Sequence, residues 1–429
     1  MTALIKNGRV IDPANGIDAQ ADLLFEGGVI KQVGANLCDS AETVIDAAGM
    51  WVVPGLIDMH VHLRDPGYPH KETIATGSRA AAAGGFTTIC AMPNTSPVAD
   101  HKDVIAYIRN TAKKESVVNI LPVGSITRGL QGAALSDIAE MAGAGICAIS
   151  DDGKSVENPA LFRDAMKCAS ALSMPILAHC EDIRLIGKGQ INAGPRAELL
   201  GLAGIPALSE EIVVARDIIL ARDTGAHLHI CHLSTAGALE HLRLARQRGQ
   251  KVSAEVCPHH FTLCDEDIQT PDANFKMSPP LRSKSDLSAI RQALRDGTIE
   301  VIATDHAPHH ADDKSCGFEL AQNGIVGLET AIPLCITELV DAGILTPSEL
   351  IAKLTVNPAK ILGIGAGTLR AGARADITII DPACEHVIEK NAFHSLGKNT
   401  PFHGRKVRGK AIYTIVGGKI VMSRGDLIC

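Results

Sequence analysis

The stretch GLIDMHVHLRDPG, Gly55 to Gly67, sets His60 and His62 one residue apart and Arg64 two residues further on, at the end of an apolar run. In an extended strand, residues two apart project from the same face, so the two imidazoles and the guanidinium are expected on one side. Imidazole suits zinc and similar cations, and a fixed guanidinium grips a carboxylate through two parallel hydrogen bonds. The stretch thus carries the parts of a metal centre beside an anion anchor. A lone strand-end histidine is more often packed or exposed than a ligand, and an arginine more often sits in a surface ion pair. Repetition weighs against that bland alternative. Polar residues close the other apolar runs too: Asn94, Asp151 and Asp152, His179, His232, His259 and His260, then Asp305, His306 and His309. His70, His101, His241, His386, His394 and His403 fall in predicted loops, helices or the tail and are left out of the site. His227 and His229 have the opposite parity to His232 and are expected to point away from it as packing residues.

The apolar runs are GLIDMHVH, FTTICAMP, VVNILPVGS, AGICAISDD, MPILAHCED, AHLHICHLS, KVSAEVCPHH and EVIATDHAP, eight in all, and nearly every one closes at these residues. Between them lie stretches with helical spacing, such as ETIATGSRAAAAGG and SEEIVVARDIILARDTG. Strands alternating with helices predict an α/β chain, here a (β/α)8 TIM-like barrel over 54–365, with an open doubly wound sheet as the alternative. A barrel gathers the carboxyl ends of its strands at one face, which would turn a scatter of polar residues into one cluster. The chain ends read differently. LIKNGRVIDPANG near the start and KVRGKAIYTIVGGKIV near the finish alternate with turn signals, so residues 1–53 and 366–429 are expected to build one small β-sandwich domain together.

Composition narrows the function. A chain of 429 residues with 46% hydrophobic and 21% charged residues can bury a large core, and no apolar run is long enough to span a membrane. The start MTALIKNGRVIDP lacks the pattern of a secretory signal, so a cytoplasmic location is expected. Its 12 cysteines are scattered through strand-like runs without a CxxC pair and read as reduced residues. A net charge of -7 offers no basic track for nucleic acid.

VVPGLIDMHVHLRDPG, TTICAMPNTSP, SDDGK, LAHCED, ICHLST, EVCPHH, SPPLR, ATDHAPH, NPAKILG and ADITIID together resemble the metal-dependent amidohydrolase superfamily and, within it, the dihydroorotases of the bacterial class I type. HxH alone marks only the superfamily, whereas HVHLRDPG with AMPNT and ATDHAPH is specific. The resemblance implies Zn2+, one or two per subunit: His60 and His62 on one zinc with Asp305 close by, and His179 and His232 on the other. Many relatives, including dihydropyrimidinases, allantoinases and another dihydroorotase class, bridge their metals with a carboxylated lysine, while the resemblance implies an aspartate there in the class I enzymes. By spacing Asp152 best matches that position; its neighbour Asp151 is the alternative, and Lys154 lies past a glycine in the loop.

The implied reaction is the reversible cyclisation of N-carbamoyl-L-aspartate to L-dihydroorotate in pyrimidine biosynthesis, with Asp305 moving the proton and Arg64, Asn94 and His309 holding the substrate. Two metals would lower the pKa of a shared water and polarise the carbonyl. Ser278 stands where an Asn is expected before PPLR, and Gln322, Asn323 and Gly324 stand where many relatives have Pro-Phe-Gly, so Ser278, Asn323 and Gly324 are expected substrate contacts of altered chemistry. The long polar segment after the last strand is expected to be a mobile lid. The family also implies a homo-oligomer and association with aspartate transcarbamoylase. The rival functions are a hydantoinase, dihydropyrimidinase or allantoinase, and a non-catalytic scaffold, which should have lost the ligands present here.

Overall fold

The computed structural model describes residues 2–37 and 41–428. Five strands open the chain: β1 (Thr2–Asp12), β2 (Ile17–Glu26), β3 (Val29–Gly34), β4 (Thr43–Asp46) and β5 (Trp51–Pro54). Four close it: β16 (Ile377–Val387), β17 (Lys406–Val416), β18 (Lys419–Ser423) and β19 (Asp426–Leu427). They join in one mixed sheet of nine strands, so the β unit expected from both chain ends is present. β5 sews the ends together: it runs parallel to β1 at Arg9↔Trp51 and antiparallel to β16 at Ile380↔Trp51. Ile5, Val10, Leu23, Phe25, Val52, Ile377 and Ile415 form the unit's own buried core.

Gly55 passes the chain from β5 to the barrel. A Cβ there would lie 2.1 Å from Thr87 Oγ1, so only glycine lets the two strands approach. The barrel strands are β6 (Leu56–Val61), β7 (Phe86–Ala91), β8 (Asn119–Ser125), β9 (Ala148–Ser150), β10 (Ile176–Ala178), β13 (Leu228–Ile230), β14 (Val252–Val256) and β15 (Val301–Ile302); a small ribbon of β11 (Ile191–Asn192) and β12 (Gly204–Ile205) interrupts the series. All eight are parallel neighbours in chain order, which rules out the open doubly wound arrangement. Helices form where expected, among them 74–83, 159–171, 208–224 and 236–247. Thr73, Asn158 and Thr235 cap three of these, each side chain accepting from a backbone N–H of the first turn.

The last seam is the one that shapes the site. The segment after β15 meets β6 through a bridge, Val61↔His306, with the His62 N–H donating to the His306 carbonyl at 2.8 Å. The buried carboxylate of Asp58 completes it, accepting from the Thr304 hydroxyl at 2.6 Å, the Thr304 N–H at 3.1 Å and the His60 N–H at 3.0 Å. Burial raises the Asp58 carboxyl to about 7 while those three donors oppose the rise.

Asp58→Ala should therefore strip three buried donors of their acceptor and lower stability by about 3 kcal/mol, at about 1 kcal/mol or more for each. Asp58→Asn keeps an acceptor for the backbone donors and should lose less. Urea unfolding midpoints of the two variants check the order.

Candidate metal centre and substrate cavity

The carboxyl ends of the barrel strands converge on a cavity of about 250 Å³. Of the residues singled out in the sequence, His62, Arg64, Asn94, Asp152, His179, His232, Ser278, Asp305, His309, Asn323 and Gly324 line it. His60 lies beneath, fully buried. A larger space, about 590 Å³, sits by the opening residues of β7 and β8 against Arg109 and Arg374 and holds no cluster of metal-ligating groups.

Asp152 is the hub. Its carboxylate lies 3.1 Å from His60 Nε2, 3.2 Å from His62 Nε2, 3.6 Å from His232 Nε2 and 3.8 Å from His179 Nδ1. Asp305 approaches the same nitrogens, 3.0 Å from His62 Nε2 and 3.5 Å from His60 Nε2. Burial works against ionisation of both carboxyls, but the histidines around them hold both well below the ordinary carboxylate range. His60 Nε2 and Asp152 Oδ1 face one another, buried and without a hydrogen-bond partner. Two such orphaned donor atoms fit a cation held between them. Asp152 belongs to two groups whose ligand atoms lie within 4.8 Å of one another, with His60 and His62 on one side and His179 and His232 on the other. That is the pattern of two sites sharing a carboxylate.

Asp151 turns away. Its carboxylate accepts from the N–H groups of Ile126 at 2.8 Å and Thr127 at 2.9 Å and from the Thr127 hydroxyl, and so fastens the strand-end loop. Lys154 donates to the Leu130 carbonyl at 3.1 Å, outside the cluster.

Three histidines are each oriented from behind. His60 Nδ1 meets Glu255 at 2.7 Å, His62 Nδ1 meets Asn94 Oδ1 at 2.8 Å, and His179 Nε2 meets Glu181 at 3.0 Å. A ring nitrogen that donates to an oxygen leaves the other nitrogen bare for a metal. Asn94, expected on the substrate, thus also steers His62. Ser278 lines the cavity, but its hydroxyl donates to Glu181 and so props His179.

The geometry departs from strand parity in places. Val61 and Leu63 pack outward while His60 and His62 face the cluster, as alternation requires. Met59 also packs inward, next to His60, because the ladder to β7 shifts register between Asp58 and Val61. Arg64 comes after the strand has ended and has a φ of +58°, so a left-handed turn aims it, not alternation. His232 and Asp305 have φ of +33° and +47° for the same reason. Left-handed backbone is unfavourable for these residue types and gathers at functional sites. Since the chain turns at His232, His229 does not point away: it is buried inside the barrel, 3.0 Å from Glu255. His259 and His260 are buried in the short helix 258–262 and do not line the cavity. Glu181, Glu255 and Asp58 were missed from sequence because an acidic residue inside an apolar run says nothing of its partner. The run itself, unusual for a charge, was the available signal.

Above the metal cluster stands Arg64, whose Nε donates to the Pro308 carbonyl at 3.2 Å while its tip lines the cavity. His309 Nε2 donates to the Asn323 carbonyl at 2.8 Å; burial, then Arg64, Lys71 and Lys314, push its pKa down to about 3, so the ring is neutral. Gly324 has φ +130°, and a Cβ there would lie 2.6 Å from Ala307 Cβ. The segment expected as a mobile lid is tied down: Lys314 Nζ donates to the carbonyls of Gln322 at 2.7 Å, Gly324 at 3.0 Å and Lys276 at 3.2 Å.

A family model described as Dihydro-orotase-like matches residues 49–238, and one described as Amidohydrolase family matches 337–422. The dihydroorotase of Trichlorobacter lovleyi is 50% identical over 99% of this chain and 100% of its own length. That of Pelotomaculum thermopropionicum is 51% identical over 98% and 99%. Among solved structures, the L-hydantoinase of Arthrobacter aurescens superposes with a TM-score of 0.91 at 26% identity, covering 100% of this chain and 97% of that one. No described helix is long and apolar enough to cross a membrane.

The two adjacent aspartates should separate cleanly on substitution. Asp152→Ala is expected to lose bound metal with its fold retained. Asp151→Ala should keep metal at neutral pH and lower thermal stability, because two backbone donors lose their acceptor. Elemental analysis and thermal melts of both variants check this.

Proposed function

The chain belongs to the dihydroorotase family of metal-dependent amidohydrolases, and from that premise we infer that it catalyses the reversible cyclisation of N-carbamoyl-L-aspartate to L-dihydroorotate in pyrimidine biosynthesis. The observation that carries the substrate choice is Arg64 at the wall of a cavity whose floor is the histidine and carboxylate cluster. Both partners of the reaction bear a carboxylate that takes no part in ring closure, and a guanidinium is the group that holds it. A neutral ring, such as the hydantoins named for the structural relatives, would leave Arg64 without an ionic partner.

We propose zinc as the metal, held by His60, His62, His179, His232 and Asp152, with Asp305 adjacent. The nitrogen-rich donor set supports this choice over magnesium or calcium, which favour all-oxygen sites. Once bound, the metal would supply a Lewis acid for the reacting carbonyl and a water acidic enough to be a nucleophile at neutral pH. Asp305 faces that place from β15 and is kept ionised by the histidines, so it is set to accept a proton. In ring opening it takes the proton of the attacking water and delivers it to the departing ring nitrogen. In ring closure it takes the ureido N–H proton as that nitrogen attacks the side-chain carboxylate carbon, and returns it to the carboxylate oxygen that departs as water. One carboxylate therefore serves as base and acid in turn. Arg64 grips the substrate carboxylate, and His309, Asn323 and Gly324 shape the wall beside it and so the ring's approach. Self-association is part of the proposal. Leu208, Ile212 and Ile219, spaced for one face of the helix 208–224, are exposed at 44%, 51% and 55%, and the molar mass in solution reports on it. Docking to aspartate transcarbamoylase is the second partner proposed, and co-migration of the two purified proteins reads it.

Arg64→Ala should raise KM for dihydroorotate at least about tenfold and leave any slow turnover of dihydrouracil unchanged. Equal losses on the charged and neutral rings would refute the anchor. Asp305→Asn should lower kcat by about 10²- to 10⁴-fold in both directions. Chelation should abolish turnover and added zinc restore it; a clear preference for hydantoin or allantoin in the parent chain would overturn the substrate.

A further inference from the structure

A barrel of this kind fills its interior with aliphatic layers, as Ile57, Met59, Val123, Leu177, Val301 and Ala303 do here. Two neighbouring strands break the pattern. Leu228 and Ile230 of β13 and Val252, Ala254 and Val256 of β14 pack outward against the helices, which turns His229, Ser253 and Glu255 inward. His229 and Glu255 have no solvent exposure at all. An uncompensated carboxylate in that position would be severely disfavoured, so its partners matter.

Those partners form one continuous chain below the metal cluster. Glu255 Oε1 lies 2.7 Å from His60 Nδ1 and Glu255 Oε2 lies 3.0 Å from His229 Nε2. His229 Nδ1 is 2.8 Å from Ser253 Oγ, which is 3.0 Å from His227 Nε2. An ionised carboxylate only accepts, so His60 carries its proton on Nδ1 and His229 on Nε2. His229 Nδ1 then accepts from the Ser253 hydroxyl, whose oxygen accepts from His227 Nε2–H. Every proton in the chain has one place, and no polar atom of Glu255 or His229 is left unpaired. Within this set of five residues the buried orphan is the far nitrogen of His60, Nε2, which faces Asp152.

We propose that Glu255 and His229 are positioning residues for the metal centre: clamped between two histidines, Glu255 fixes the ring angle and tautomer of His60 and raises the basicity of its bare Nε2. The proposal rests on the reading of His60 as a metal ligand. Cys231 also comes within ligand distance of His60 and Glu255, so a cation between these three is the arrangement the test has to tell apart.

The full-length parent, Glu255→Gln, His229→Leu and His229→Gln are compared by zinc competition against a chromophoric chelator, metal content per chain and circular dichroism. Glu255→Gln is expected to hold as many metal ions per chain as the parent but to release them about 10- to 100-fold more readily. His229→Leu should shift the competition the same way, and His229→Gln, whose amide N–H can still donate to Glu255, should restore it. Unchanged zinc competition in Glu255→Gln would overturn the proposal, as would equal affinities for the Leu and Gln variants at position 229. Loss of one whole metal equivalent in Glu255→Gln would overturn it too, by making Glu255 a ligand. If His229→Leu does not fold, the two Gln variants still decide. A parent chain that holds no metal would fail at the earlier step and remove the metal centre itself.

Discussion

The structure is organised around two buried carboxylates, Asp152 and Asp305, and four imidazoles whose inner atoms need a proton or a cation between them. In a low-dielectric interior, like-facing acceptors raise the free energy until a cation or protons fill the space between them. Burial opposes protonation of His60, His62 and His179, but the carboxylates around them raise their pKa, so protons on the inner nitrogens can take that place when no cation does. A divalent cation satisfies the set. The fold must therefore hold the cluster in place before metal arrives, and much of the barrel's irregularity serves that end.

That irregularity is concentrated where the strands end. β9, β10, β13 and β15 are only two or three residues long, because the chain leaves the ladder to turn a side chain toward the cavity. Arg64, His232 and Asp305 sit in left-handed backbone, which costs of order 1–3 kcal/mol apiece. The flanking runs offset it. Leu228 and Ile230 before His232, and Val301 and Ile302 before Asp305, are wholly buried, and each such side chain contributes about 1.5–3 kcal/mol. The Asp58 latch across the last seam then fixes His60 against Thr304, and with it Asp305 against His62.

Legibility followed the physics of each feature. The barrel could be read because eight apolar runs separated by helical spacing is a long-range pattern that tolerates local error, and the strand ends could be read because polar residues closed them. Alternation implied that Asp151 and Asp152 face opposite ways, as they do, while the preference for Asp152 came from the position that the family resemblance implies. Alternation failed for His229 and gave the wrong reason for Arg64, since a single positive φ resets which side a residue faces and leaves no mark on hydrophobic periodicity. Partners from other strands were hidden altogether. Glu255 supports His60 across 195 residues of sequence, and nothing local to either residue announces the other.

The same limit hid the partners of Ser278 and of the segment after β15. Ser278 was read as a substrate contact by its place before PPLR, yet its hydroxyl is engaged with Glu181, so its influence reaches the cavity through His179. The segment that looked like a lid has two lysines drawn into it. Lys276 donates to the Phe318 and Glu319 carbonyls, and Lys314 to three more. Burial, then Lys276, pushes Lys314 down to about 7, yet its carbonyl partners suit either form, because the neutral amine still donates. A wall held by clamped carbonyls and a neutral His309 is already formed, which leaves Arg64 as the group that meets the substrate carboxylate. Less ordering is then left for the substrate to impose, and more of its binding free energy can go into aligning the ring with Asp305 and the metal cluster.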